Sequence, residues 1–391
     1  MNEMDVKSLT DTQGLKVAVI GIGNGGSQVA LAAAKKGIPC MVMNTSTKDL
    51  DDSVIGSTIN AFRIGDGWGS GKDRTNAIEL FKSNGNEGIK AIFNNPHFKA
   101  TVEPANVVFI TYSCGGGTGS GIGPIFAQYC HKAYAGKVII PFGILPKAAE
   151  SLKAQANTIA CVDETSKIGT PYMLADLSYY ENESQEVSFK KIGEYMANVM
   201  AVIRGDYLQM SASGMADERD LLTVISEPGY MTVHMKTGIT EPMQGNKTLL
   251  GFILDEIRNS PACRIQRDGM IQYNLIIANV GSFIDDPLKQ GNYDELNNFV
   301  GEPKATFNNY AVDDMRTEYD VICVSTGMSL PVDRFNAAKA KIVANKAKFD
   351  KMADRSLTET RDATELARNE TTKGIVMGSN KSASPDLSFL D

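Results

Sequence analysis

Five glycines fall in the seven positions 115–121 of the segment Cys114–Gly123, CGGGTGSGIG. A backbone this rich in glycine can turn several N–H groups toward one anion, and Thr118 and Ser120 add hydroxyl donors. The ligand such a cradle suits is a polyphosphate. Ile122, Ile125, Phe126 and Tyr129 recur downstream at helical spacing, so the loop feeds a helix N-terminus whose dipole adds to the attraction. Gly115, Gly116, Gly117, Thr118, Gly119 and Ser120 are the binding candidates here.

Two further loops have the same character. Lys16–Ile20 (KVAVI) reads as a buried strand that runs into GIGNGGS at 21–27, followed by an Ala-rich helix. Gly21, Gly23, Asn24, Gly25, Gly26 and Gln28 are its candidates. Gly21, Gly23 and Gly26 also satisfy the dinucleotide pattern G-x-G-x-x-G, which calls for a carboxylate at the end of the next strand to hold a ribose diol. That strand, Pro39–Met43, ends instead in Asn44-Thr45-Ser46-Thr47, which disfavours a nicotinamide or flavin and places Asn44 and Thr45 at the same ligand. The third loop, Gly65–Arg74 (GDGWGSGKDR), follows another strand. It falls short of the Walker pattern G-x-x-x-x-G-K-[ST], with Asp66 at the first Gly position and Asp73 after the Lys. Gly71, Lys72, Asp73 and Arg74 remain candidates: the two cations for a terminal phosphate, Asp73 to orient them or to hold a metal-bound water.

Such loops need strand ends to carry them. Strand-like runs at 16–20, 39–43, 107–113 and 137–144 alternate with helical stretches near 27–36, 75–93, 122–134 and 151–161. That alternation predicts an α/β fold, a mostly parallel sheet flanked by helices with ligand across the strand C-termini. Ile192, Met196, Val199, Met200, Ile203 and Tyr207 keep a 3.6-residue period, predicting one helix over 187–209, about 30 Å long. A helix near 248–258 and strands at Gln272–Val280 and Tyr319–Thr326 follow, then a long helix beyond Pro331 with Phe335, Ala338, Ile342, Phe349 and Met352 on one face.

With 391 residues the chain has length for about two domains. A net charge of -7 argues against a surface that coats nucleic acid, so any DNA contact is local or indirect. Six scattered cysteines without a C-x-x-C pair point to reduced core thiols rather than disulfides or zinc. The first residues lack an apolar signal region and no run of 18 apolar residues occurs, so neither secretion nor membrane insertion is expected. Arg334–Lys351 carries six cations against Asp350 alone, either a solvated helix face or a site for an acidic partner.

GGGTGSG at 115–121 resembles the signature loop of the tubulin and FtsZ superfamily, and TVISEPGY at 223–230 is similar to a second segment of it; the resemblance covers residues 16–330. It implies a Rossmann-type parallel-sheet GTP-binding domain (1–186), a central connecting helix (187–210), a smaller α/β second domain (211–330) that activates hydrolysis, a C-terminal helix (331–370) and a disordered tail (371–391). GTP and GDP are the implied ligands, with Mg²⁺ held through phosphates and water rather than by protein ligands. Glu150 stands where the family has a ribose-contacting acid. Phe189 or Tyr195 would stack on the purine, and Glu194 or Asn198 would bond its guanine edge. Register with TVISEPGY sets Asp217 and Asp220 on the family's two catalytic carboxylates, which act on the nucleotide of the adjacent subunit in a head-to-tail homopolymer. GKDR in the third loop, Met215 in place of a family asparagine and the long C-terminal helix look most like the TubZ branch. That branch implies a cytoplasmic GTPase of a prokaryotic host that segregates plasmid or phage DNA through a DNA-binding adaptor of the TubR type on centromeric DNA, away from membranes. An FtsZ-like cell-division GTPase and a non-filament nucleotide-binding regulator are the alternatives.

Overall fold

The computed structural model describes residues 14–208, 216–240, 249–263, 271–281, 302–313 and 315–355. Ten strands form one sheet: β1 Val17–Ile22, β2 Cys40–Asn44, β3 Asn60–Arg63, β4 Val107–Ser113, β5 Val138–Leu145, β6 Pro171–Asp176, β7 Gly229–Ile239, β8 Tyr273–Val280, β9 Ala305–Val312 and β10 Tyr319–Met328. Their order is β3-β2-β1-β4-β5-β6-β7-β10-β8-β9. The first six strands are parallel. All residues of β1 and β5 are buried, as expected where helices cover both faces of a parallel sheet. The chain leaves β1 for β2 on one side and returns to β4 on the other. The gap between β1 and β4 is thus a topological switch point, where ligands of such sheets bind.

Within the sheet β7 joins β6 through two residue pairs, Pro171↔Gly229 and Tyr172↔Tyr230, and Ala262 bridges to Ala175 further along β6. Beyond that seam β10 runs antiparallel to both β7 and β8, with β9 parallel to β8. Strands β6, β7 and β9 lack a counterpart in the sequence reading. β9 has a weak apolar pattern, mostly half-buried, and β7 ends in a polar stretch at Lys236–Gly238.

The helices are α1 Gly23–Ala34, α2 Arg74–Phe93, α3 Pro96–Val102, α4 Thr118–Ala133, α5 Leu152–Ser166, α6 Gln185–Arg204, α7 Glu218–Ile225, α8 Leu249–Asn259 and α9 Val332–Arg355, besides one short turn at Asp52–Ile55. α1 and α4 begin four residues earlier than their apolar periodicity, because small glycines carry no periodic signal. The central helix α6 ends at Arg204 rather than near 209: Gly205 adopts φ 91° and closes it in the left-handed conformation. Tyr207 therefore lies outside the helix, and its carbonyl accepts from Asn279 Nδ2 at 3.0 Å. Phe335, Ala338 and Ile342 of α9 are buried as the periodicity requires. The side chains of Phe349 and Met352, residues 356–391 and Met215 lie outside the described residues. Five cysteines, Cys114, Cys130, Cys161, Cys263 and Cys323, are buried. Among the described residues no helix is long and apolar enough to cross a membrane.

His234 on β7 is 2% exposed and shares a hydrogen bond with Ser260 through Nδ1 at 3.2 Å. Burial holds its pKa down to about 4, against about 6.5 in an unfolded chain. The unfolded state therefore binds more protons between these values, so this stability is complete above pH 6.5 and is lost as pH falls through 4. The gap corresponds to about 3 kcal/mol. Urea unfolding across that range should show the loss, and His234→Gln should flatten the slope; an unchanged slope in the variant would remove His234 as its source.

Candidate functional site

A helix begins with N–H groups that have no partner inside the helix. In this chain Asp73, Asn95, Ser151, Ser184 and Asp217 each accept from such groups at the starts of α2, α3, α5, α6 and α7. α1 and α4 differ: Ile22 and Gly117 precede them, neither has a side-chain cap, and neither has an acid in its first turn. Their N-termini also meet. A Cβ built on Gly23 would stand 3.1 Å from the Gly119 nitrogen and 3.4 Å from Thr118 Cβ. Two helix dipoles thus converge at the switch point with no side-chain cap and no acid in either first turn, an arrangement that suits a polyphosphate.

The other loops are locked onto this pair. Thr45 Oγ1 and Thr118 Oγ1 are 2.7 Å apart, and Ser70 Oγ lies 3.3 Å from the same hydroxyl. Thr47 N donates to Gly67 O and Gly69 N to Thr45 O, each at 2.9 Å, so the loop 65–74 lies antiparallel on the loop 44–49. A Cβ on Gly117 would meet Ser70 Oγ at 2.3 Å and the Asp73 nitrogen at 2.8 Å. Gly71, Lys72 and Asp73 therefore arrive beside Gly115–Gly119. Lys72 takes φ 57°, a left-handed conformation for a non-glycine residue, and is exposed. Asp73 caps α2 through Oδ1, with Lys153 3.7 Å from its other oxygen. Asn44 shapes its own loop: Nδ2 donates to Asp49 at 3.1 Å, and Oδ1 accepts from Ser46 N at 3.2 Å.

Several sequence candidates sit differently from the expectation. Ser120 is fully buried, and its hydroxyl donates back to the Gly116 carbonyl, so it braces the turn of α4 instead of facing a ligand. Arg74 pairs with Glu164 of α5 and donates to Ser120 O at 3.1 Å. Its charge is neutralised behind the loop, which leaves Lys72 as the cation of this segment at the crevice. Phe189 is 8% exposed and lies against Gly25, where a Cβ would be 2.7 Å from the ring. Tyr195 donates to Val233 O at 2.9 Å, tying α6 to β7 rather than stacking on a base. Glu194 and Asn198 follow Phe189 along α6, about 7 and about 13 Å further down the axis. Glu150 accepts from Lys147 N at 3.2 Å in the turn after β5. Pro146 of that turn packs on Gly115, 3.0 Å from where its Cβ would be.

Asn157 was absent from the sequence reading. It is 7% exposed, and Nδ2 donates to Gly116 O at 3.2 Å, Gly115 O at 3.3 Å and Lys72 O at 3.4 Å, fastening two loops to α5. It belongs to the buried face of α5 with Ala154, Thr158, Cys161 and Val162, a face that mixes polar and apolar residues and so carries no signal in the sequence. The same helix receives α9. Arg334 reaches Asp176 at 2.5 Å and Pro146 O at 2.8 Å, and Lys341 donates to Ala148 O at 2.8 Å.

Asp217 and Asp220 form a reciprocal cap at the start of α7. Asp217 Oδ1 accepts from the Arg219 and Asp220 nitrogens at 2.8 and 3.0 Å, while Asp220 Oδ2 accepts from Asp217 N at 3.2 Å. Among the described residues these bonds use one oxygen of each carboxylate. They stand at the other end of the domain from the glycine loops. α6 starts beside Gly25 and runs alongside α1 to its far end, where Leu15 N donates to Arg204 O and Arg204 Nη1 to Lys36 O, both at 3.2 Å. A Cβ on Gly205 would lie 3.9 Å from Glu218 Cγ, which fixes the acids at that end. The 20 residues of α6 span about 30 Å.

Residues 16–176 match the model of the Tubulin/FtsZ family, GTPase domain. The tubulin-like protein CetZ of Pyrococcus horikoshii is 24% identical over 199 residues, 48% of this chain and 53% of that protein. The tubulin-like protein TubZ of Clostridium botulinum C phage is 24% identical over 216 residues, 54% of this chain and 57% of that protein. The chain thus spans about half the length of the curated relatives it matches. Among solved structures, a GTPγS-form protofilament of Bacillus thuringiensis serovar israelensis TubZ superposes with TM-score 0.71 at 14% identity, over 90% of this chain and 98% of that one. The chain has the tubulin/FtsZ fold, and its residues 16–176 match the GTPase domain of the tubulin/FtsZ family.

Proposed function

We propose that this protein binds GTP across the glycine loops and hydrolyses it only when a second copy, docked head to tail, supplies Asp217 and Asp220. One observation carries this reading: two uncapped helix N-termini meet at the switch point, while the paired carboxylates stand about 30 Å away at the opposite end. That distance exceeds the length of a nucleoside triphosphate, so the acids of one chain suit the ligand of the next. A contact between opposite ends does not close on itself, and it generates a filament.

The chemistry follows from positioning. Amides of Gly115–Gly119 and Gly23–Gly26 hold the phosphates, and Lys72 offers a cation to the terminal one. A magnesium ion would be held here by phosphate oxygens and water near Thr118 and Asp73. Such an ion supplies charge neutralisation. Asp217 and Asp220 of the incoming copy orient the attacking water and accept its proton.

The finer reading is DNA segregation of the TubZ kind, through a TubR-type adaptor on centromeric DNA. It is supported by the TubZ relative and by a net charge of -7, which makes indirect DNA contact the reasonable form. The test is phosphate release from GTP and ATP against protein concentration, with light scattering on the same samples. The expected result is a GTP-selective rate that is negligible below a threshold and rises with scattering. A rate strictly proportional to concentration, without scattering, would mean a self-sufficient site and would reject the shared one.

A further inference from the structure

Trp68 is the chain's one tryptophan, and it is 91% exposed. An indole exposes about 200 Å² of mostly apolar surface, and among the described residues nothing covers it. The side chain does not hang on a slack segment. Trp68 N donates to Asp66 Oδ1 at 3.1 Å, the residue pairs antiparallel with Ser46, and Gly67 and Gly69 on either side take φ 92° and 85° to hold the turn. The ring is therefore presented from a fixed loop, and burying it costs little further ordering. Tryptophan in such a setting is the residue type most enriched among binding hot spots.

Its position names the occupant. Trp68 is four residues before Lys72, so it lies within about 14 Å of it along the chain. A second copy that brings Asp217 and Asp220 to the terminal phosphate must lie across this lip. We propose that Trp68 is the anchor of the head-to-tail contact, its indole buried under the face of the next copy that carries those two acids. The inference rests on the shared-site reading above and adds the side chain that holds the two copies together.

A single tryptophan makes the test direct. The full chain is titrated over a concentration series with GTPγS, and scattering, emission maximum and acrylamide quenching are recorded together. The expected result is a blue shift and a several-fold fall in quenching that follow scattering through its threshold and are absent below it with nucleotide bound. Trp68→Ala should raise the critical concentration by about tenfold or more, with Trp68→Phe in between. Scattering that rises while quenching stays constant would overturn the anchor and leave the shared site standing. A shift on adding nucleotide at concentrations without scattering would place the indole over its own chain's ligand and overturn it too. Nucleotide binding without scattering at any concentration would reject the head-to-tail reading and the anchor with it.

Discussion

Replacing both acids of the α7 cap by asparagine (D217N/D220N) is expected to slow GTP turnover by about 10²- to 10⁴-fold while filaments still form. Asparagine caps a helix as well as aspartate does, so the bonds from Asp217 to the Arg219 and Asp220 nitrogens are kept in kind. The docking of this end is kept as well, because it runs through the backbone of Ala216 and not through the two acids: Ala216 N donates to Asn308 O at 2.9 Å, and Asn309 Nδ2 to Ala216 O at 2.8 Å. What is removed is charge and basicity. Alanine would be a poorer probe, since it would add about 1 kcal/mol of lost capping to the catalytic effect. Filaments of the asparagine variant should persist after GTP is added, because the step that loosens the contact is blocked. Normal turnover would confine the two acids to their structural role.

The same variant separates a shared site from a self-contained one. It keeps intact glycine loops, while a loop variant such as Gly117→Ala keeps intact acids. At a GTP concentration well below the weakened affinity of the loop variant, each alone should be nearly silent. In a mixture, some contacts join the intact loops of one copy to the intact acids of the other, and turnover should reappear. Silence of the mixture, with both proteins present in the pellet on sedimentation, would place acids and ligand in one chain.

Much of this arrangement was legible because it is written in residue types. The loops at 21–28 and 115–121 announce themselves by glycine, and α6 and α9 by apolar periodicity. What stayed hidden depends on where a side chain turns. Ser120 and Thr118 look alike as hydroxyl donors, yet one faces Gly116 O inside α4 and the other faces Thr45 and Ser70. Arg74 and Lys72 look alike as cations, but Glu164 lies 90 residues away in sequence and captures only the arginine. Asn157 carries no motif at all, and its role exists only because α5 packs behind the signature loop. The end of α6 was misplaced for a local reason: Tyr207 continues the apolar period, but Gly205 breaks the helix first.

Gly26 and Gly117 both belong to glycine-rich loops, and their replacement by alanine should have opposite consequences. A Cβ on Gly26 would stand 2.1 Å from Thr111 O and 2.8 Å from Thr111 C, backbone atoms of β4 at the centre of the sheet. Thr111 Oγ1 in turn donates to Gly26 O at 3.0 Å, so α1 and β4 are pinned at this separation. Neither side has a flexible end that can give way, and α1 must lift from the sheet. Gly26→Ala is expected to cost about 3 kcal/mol and to lower the melting temperature of the ligand-free protein by on the order of 10 °C. At Gly117 the obstructing atoms are Ser70 Oγ and the backbone of Lys72 and Asp73, all in the loop 65–74. That loop lies outside the apolar core, so it gives way by losing its contacts to Thr118 and Asn157 and not by opening the sheet, taking Lys72 from the phosphates. Gly117→Ala should therefore melt near the parent temperature yet bind GTP about 10- to 100-fold more weakly, the loss of one or two charge-assisted hydrogen bonds. Thermal unfolding without nucleotide and titration with a fluorescent GTP analogue measure the two effects separately. If Gly117→Ala unfolded early while Gly26→Ala kept its stability and lost only the ligand, the assignment of one glycine to packing and the other to the phosphate crevice would have to be reversed.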